Sequence, residues 1–124
     1  MPMFVNPQAK EPITLDGNTI YIKTKMDAQT TAAVQDSFAG IRGRGAEAED
    51  GMMAGVRGMG SYRLALLEHN IVGWEGPDFM DERGKPIPCT RGNIRRLDMT
   101  EPLIELVAEA IGERNAPKES PDPN

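Results

Sequence analysis

The chain has a single cysteine, Cys89, so no disulfide can form within it. The simple reading is a reducing, intracellular setting. It also has a single histidine, His69. Metal sites and nucleophile–base pairs built on histidine need partners of fitting type, and no CxxC, HExxH or HxE pattern is present. Positive charge is outweighed, with 14 Lys and Arg against 19 Asp and Glu and a net charge of −5. That balance argues against a general nucleic-acid binder, which needs a basic face to displace counterions from phosphates. No apolar run approaches the roughly 18 residues of a membrane span. Met1–Lys10 lacks the basic and apolar regions of a signal peptide, so neither a leader nor a membrane segment is expected.

What is present fits one small domain. The apolar fraction is 39%, on the low side, while Gly 13 and Pro 10 are high, so order is expected in only part of the 124 residues. Residues 1–12 carry Pro2, Pro7 and Pro12 and read as an irregular arm. Ile13-Thr14-Leu15 and Thr19 to Lys25 alternate around Asp16-Gly17, a β-hairpin signal, because Asp and Gly accept the positive φ of a type I′ turn. Ile20 and Ile22 fall on one face, Tyr21 and Lys23 on the other.

Asp27 can cap a helix from Ala28 to about Ala39, with Ala32, Ala33, Val34 and Phe38 as a thin apolar face and Gly40 as its stop. Residues 40–60 hold seven glycines and the acids Glu47, Glu49 and Asp50, and read as a flexible Gly-rich loop, the other reading being a short helix around Ala46 to Ala54 interrupted by Gly51. Leu64, Leu67 and Ile71 recur at helical spacing, although Asn70–Trp74 fits an extended strand equally well. Asp81–Lys85 reads as a turn. Thr90 can cap a short helix ending near Leu97, and Asp98 or Thr100 a last one, with Pro102 in its first turn. Leu103, Ile104, Leu106, Val107, Ala110 and Ile111 give that helix a broad apolar stripe opposite Glu105, Glu109 and Glu113. Residues 115–124, with three prolines, read as a disordered tail. The fold class expected is α+β: an N-terminal hairpin, then a small bundle of helices spanning 13–114. Trp74, Leu67, Ile71, Leu103, Leu106 and Val107 are the expected core anchors.

A search for chemistry yields no catalytic, metal or cofactor site. A Cys89–His69 dyad would need the fold to bring the two together; otherwise Cys89 is a partly buried thiol. The Gly-rich segments match neither GxGxxG after a strand nor GxxxxGK[ST]. Asp78, Asp81 and Glu82 lack calcium-loop spacing. Two features point to partners. Met52, Met53 and Met59 stand in the Gly-rich loop, where adaptable thioethers suit apolar surfaces. Arg91, Arg95 and Arg96 could form a small basic docking face, or simply a solvated one.

The run Leu66-Leu67-Glu68-His69-Asn70-Ile71-Val72-Gly73-Trp74-Glu75-Gly76, then Asp81 to Thr90, then a leucine-bearing helix, resembles phage tail assembly chaperones. In these a tryptophan ends an apolar segment, an acidic turn with Gly-Lys follows, and a Thr-capped stretch leads to a closing apolar helix. Ile13–Ile22 is similar to the opening hairpin of some members. The resemblance covers about two thirds of the chain, and the 40–60 segment departs from it. It implies a non-enzymatic protein of the host cytoplasm that binds the tape measure protein, keeps its apolar helices soluble and recruits tail tube subunits. Specific nucleic acid and membrane are not among the partners implied, and self-association stays open. The alternative class is a virion structural protein such as a tail tube, connector or decoration subunit.

Overall fold

The computed structural model describes residues 3–42 and 62–116, with side chains described for 3–36 and 62–116. Its fold is mixed α+β: an antiparallel sheet in the order β1-β2-β3 and helices packed against it. β1 is Lys10–Leu15, β2 Asn18–Lys23 and β3 Ile71–Glu75. The helices are α1 (Ala28–Arg42), α2 (residues 62–70), α3 (Arg91–Ile94) and α4 (Pro102–Arg114). A short 3-10 helix occupies Pro77–Phe79.

The hairpin forms where its turn residues require it. Asp16 and Gly17 take φ of 53° and 81°, the positive values a two-residue primed turn needs. Ile13 then faces Ile20, and Leu15 faces Asn18. β1 begins at Lys10, so residues 10–12 belong to the sheet and not to an irregular arm. Pro12 is tolerated because β1 is an edge strand, with one side free of ladder bonds.

The C-terminal half contributes the third strand. Asn70 ends α2, and the following residues are extended beside β2. The register runs Ile20 to Trp74 and Tyr21 to Gly73, then shifts so that Ile22 pairs with Ile71. Val72 is the extra residue of this bulge. The shift keeps Ile71 6% exposed in the core while Val72 is 46% exposed.

Caps explain two helix starts. The Asp27 carboxylate accepts the Thr30 N–H at 2.8 Å, and the Thr90 hydroxyl accepts the Asn93 N–H at 3.2 Å. α1 continues through Gly40 to Arg42 instead of stopping at Gly40. Of its expected apolar face, Val34 enters the core, Ala32 is exposed, and the Phe38 side chain lies outside the described residues. α4 corrects another expectation. Its N-cap is Glu101, with Pro102 opening the first turn and no side-chain cap bond. Asp98 instead closes its own tight turn, accepting the Thr100 N–H at 2.9 Å and hydroxyl at 2.7 Å.

One apolar cluster joins the elements. It holds Ile20 and Ile22 of β2, Val34 of α1, Leu67 of α2, Ile71 of β3 and Ile94 of α3, together with the α4 stripe. Leu103, Ile104, Val107, Ala110 and Ile111 form that stripe. Leu67 and Val107 have no exposed surface, and Leu103 has 8%. Leu106 is a correction: it is 41% exposed. The sheet covers only one side of α4, and Leu106 falls beyond the edge of the buried stripe.

The end of α4 is tied down. The Asn115 side chain donates to the Ile111 carbonyl at 2.8 Å and accepts the Met26 N–H at 2.8 Å. Asn115 and Ala116 therefore belong to the ordered domain and not to a tail. Most of the expected Gly-rich loop, including Met52, Met53 and Met59, and residues 117–124 lie outside the described residues.

Candidate functional site

Trp74 stands where the sheet meets the 3-10 helix, and the chain after it is folded back over its ring. Gly76 adopts φ 129°, ψ 172°, a conformation open to glycine and costly for other residues. A Cβ at Gly76 would lie 2.5 Å from Asn18 Oδ1 and 2.7 Å from Asn18 Cα, so the hairpin and this corner touch backbone to backbone. Phe79 then stacks on Trp74, with ring centroids 4.9 Å apart and planes 10° from parallel.

The acidic turn performs the return. Asp81 Oδ1 accepts the N–H groups of Arg83 at 2.8 Å and Lys85 at 2.9 Å, and Gly84 supplies φ 76°. Met80 and Pro86 are bridged across it, and the Ile87 N–H donates to the Phe79 carbonyl at 2.7 Å. The Ile87 carbonyl in turn accepts the Trp74 indole N–H at 2.7 Å. The tryptophan is thus half-buried, packed against the core on one side and fixed at its polar tip.

This arrangement leaves an open cleft of about 360 Å³ between the hairpin turn, the 3-10 helix, the segment after α3 and the start of α4. Its apolar wall includes Leu15, Trp74, Ile87 and Leu97, all half-buried, above the more deeply buried Phe79 and Leu103. Its rim carries Asp16, Asp78, Asp98 and Glu101, with Arg96 as the one cation among its lining residues. Asn18 is buried in the wall and doubly bonded to Asp78, through its side-chain amide at 2.7 Å and the Asp78 N–H at 2.9 Å. The Thr100 hydroxyl and N–H hold the Asp98 carboxyl below its ordinary range, so it is ionised at neutral pH.

The structure divides the expected basic face. Arg95 is drawn to Glu68 of α2, and this ion pair raises the guanidinium further above its ordinary range. Arg96 lines the cleft, and Arg91 is exposed at the start of α3. No pattern in the sequence marks the rim carboxylates as one set: Asp98 reads there as a helix cap and Asp78 as one of three acids without calcium-loop spacing. Asp16 is accounted for by its turn, and Glu101 by its place before a helix; only the tertiary fold makes them neighbours of Trp74.

Cys89 is half-buried against the core, and burial pushes its thiol up, away from the thiolate a nucleophile needs. Among the described residues no group of three or more His, Cys, Asp or Glu could hold a metal ion. Among the same residues no helix is long and apolar enough to cross a membrane. No protein-family model, curated protein or solved structure matches the chain.

Proposed function

We propose that the chain is a non-enzymatic binding module acting as an assembly chaperone in phage tail morphogenesis. In this role it holds the tape measure protein soluble in the host cytoplasm and brings tail tube subunits to it. The observation that carries the reading is the cleft beside Trp74. The runs Leu66–Gly76 and Asp81–Thr90, the closing helix and the Ile13–Ile22 hairpin are the residues that resemble such chaperones, and they supply Leu15, Trp74, Ile87 and Leu103 to one open, apolar-walled cleft. Half-buried apolar side chains at an open mouth suit reversible capture of an apolar segment from another protein. The net charge of −5 suits a carrier that must stay soluble while loaded. The raised thiol of Cys89 is the reverse of an activated nucleophile, which also favours binding over catalysis.

Co-expression tests the reading. A tape measure protein encoded beside this chain should move from the insoluble to the soluble fraction when the chain is present. Equal solubility with and without the chain would overturn the proposal. Finding the chain as a stoichiometric component of purified particles would favour a structural subunit instead.

A further inference from the structure

We infer that the cleft beside Trp74 takes a cationic amphipathic segment of a partner protein, with an apolar side chain against Trp74 and Leu15 and a lysine or arginine at the rim. The inference rests on the chaperone reading only in treating the cleft as a docking face. The charge at the rim is unbalanced. Four carboxylates, of Asp16, Asp78, Asp98 and Glu101, face a single guanidinium, that of Arg96. None of these five groups is in an ion pair among the described residues, where the salt bridges run from Arg95 to Glu68 and from Arg114 to Glu11 and Glu113.

The simpler explanation of such acids is local. Asp98 closes a turn, Asp78 holds Asn18, and Glu101 favours the start of α4 through the helix dipole. It leaves Asp16 without a structural use for its charge, since asparagine would serve the turn equally well. It also does not account for the apolar wall. Leu15 and Trp74 keep exposed surface directly beside the acids, and that pairing matches one chemical type. A lysine or arginine can lay its aliphatic stem on an apolar wall and carry its charge to a carboxylate rim. About 360 Å³ holds a few side chains and not a whole helix, so the cleft would read the anchor residues of a longer segment.

Trp74 is the sole tryptophan and lines the cleft, so its fluorescence reports occupancy directly. The probes are two synthetic amphipathic peptides with leucines at helical spacing, one with lysines between them and one with glutamates. With the full chain, the lysine peptide should shift Trp74 emission and bind at least about tenfold more tightly than the glutamate peptide, with affinity falling as salt rises. The Asp16→Asn, Glu101→Gln double variant should weaken the lysine peptide about fivefold. Neither carboxylate has a hydrogen-bond partner among the described residues, so the double variant should fold as the parent does, with a melting temperature lowered by no more than a few degrees through loss of the Glu101 charge at the start of α4. Arg96→Gln should tighten binding of the same peptide.

Equal binding of the two peptides, tighter binding of the glutamate peptide, or no response to either overturns the inference. If the peptides fail while the tape measure protein is still solubilised, the chaperone reading stands and the cleft chemistry falls. If the lysine peptide binds as expected while the tape measure protein stays insoluble, the reverse holds.

Discussion

Asn18 and Asp78, 60 positions apart, hold each other by two hydrogen bonds, side chain to side chain at 2.7 Å and backbone N–H to side chain at 2.9 Å. Asn18 is 6% exposed, and both polar ends of its amide are satisfied by this one partner. The pair fastens the start of β2 to the 3-10 helix and so fixes one wall of the cleft. A polar group this buried is tolerated because it is paired; leaving either end unpaired costs about 1–3 kcal/mol.

Gly76 is what lets the two come together. Its φ of 129° disfavours any side chain, and a Cβ would meet Asn18 Oδ1 at 2.5 Å and the Gly17 carbonyl at 2.8 Å. Since backbone atoms cannot swing away as a side-chain tip can, Gly76→Ala should destabilise the fold by about 2–4 kcal/mol. Thermal unfolding checks this. An unchanged melting temperature would mean that the corner is looser than described.

Trp74→Phe keeps an aromatic ring for Phe79 and removes the indole N–H that donates to the Ile87 carbonyl at 2.7 Å. The expected loss is about 1–3 kcal/mol in denaturant unfolding, from the lost bond and the smaller ring together. No loss would show that the 86–88 segment does not depend on this contact.

Arg114 grips Glu11 with two bonds, at 2.6 and 3.0 Å, joining the end of α4 to β1. The hydrogen bond and charge of Arg114 hold the Glu11 carboxyl below its ordinary value of 4.5, against a smaller opposing effect of burial. A lowered carboxyl pKa means that the folded state binds this proton less readily than the unfolded chain. Its stabilising effect is therefore present above 4.5 and is lost as pH falls below it through the folded value. Glu11→Gln should flatten the acid side of a stability–pH profile. A profile as steep as that of the parent would place the acid sensitivity elsewhere.

The edge of the α4 stripe gives a paired test. Leu106 is 41% exposed while its neighbour Val107 is fully buried. Leu106→Gln should change stability by no more than about 0.5 kcal/mol. Val107→Ala should cost about 1.5–3 kcal/mol. Equal effects in equilibrium denaturation would put Leu106 back among the core anchors.

The elements legible in the sequence are those whose cause is local. Asp16-Gly17 specifies its turn, Asp27 and Thr90 cap the helices they precede, and the 3.6-residue period of Leu103 to Ile111 marks α4. Tertiary causes left no such trace. The bulge at Val72 arises because Ile71 must face the core after α2 ends at Asn70, and Trp74 must still pair with Ile20. Leu106 fits the apolar period, but which flank of a broad stripe is covered depends on where the sheet lies. The cleft was illegible for the same reason. Its rim is drawn from the hairpin turn, the 3-10 helix and the approach to α4, which only the fold assembles.

The most direct test of the proposed chaperone role is co-expression of a tape measure protein, one encoded beside this chain being the choice, with the full chain, and separately with the Asp16→Asn, Glu101→Gln variant. The expected result is a clear gain in soluble tape measure protein with the parent chain and a smaller gain with the variant. The contradicting result is tape measure protein that is equally soluble, or equally insoluble, whether or not the chain is present.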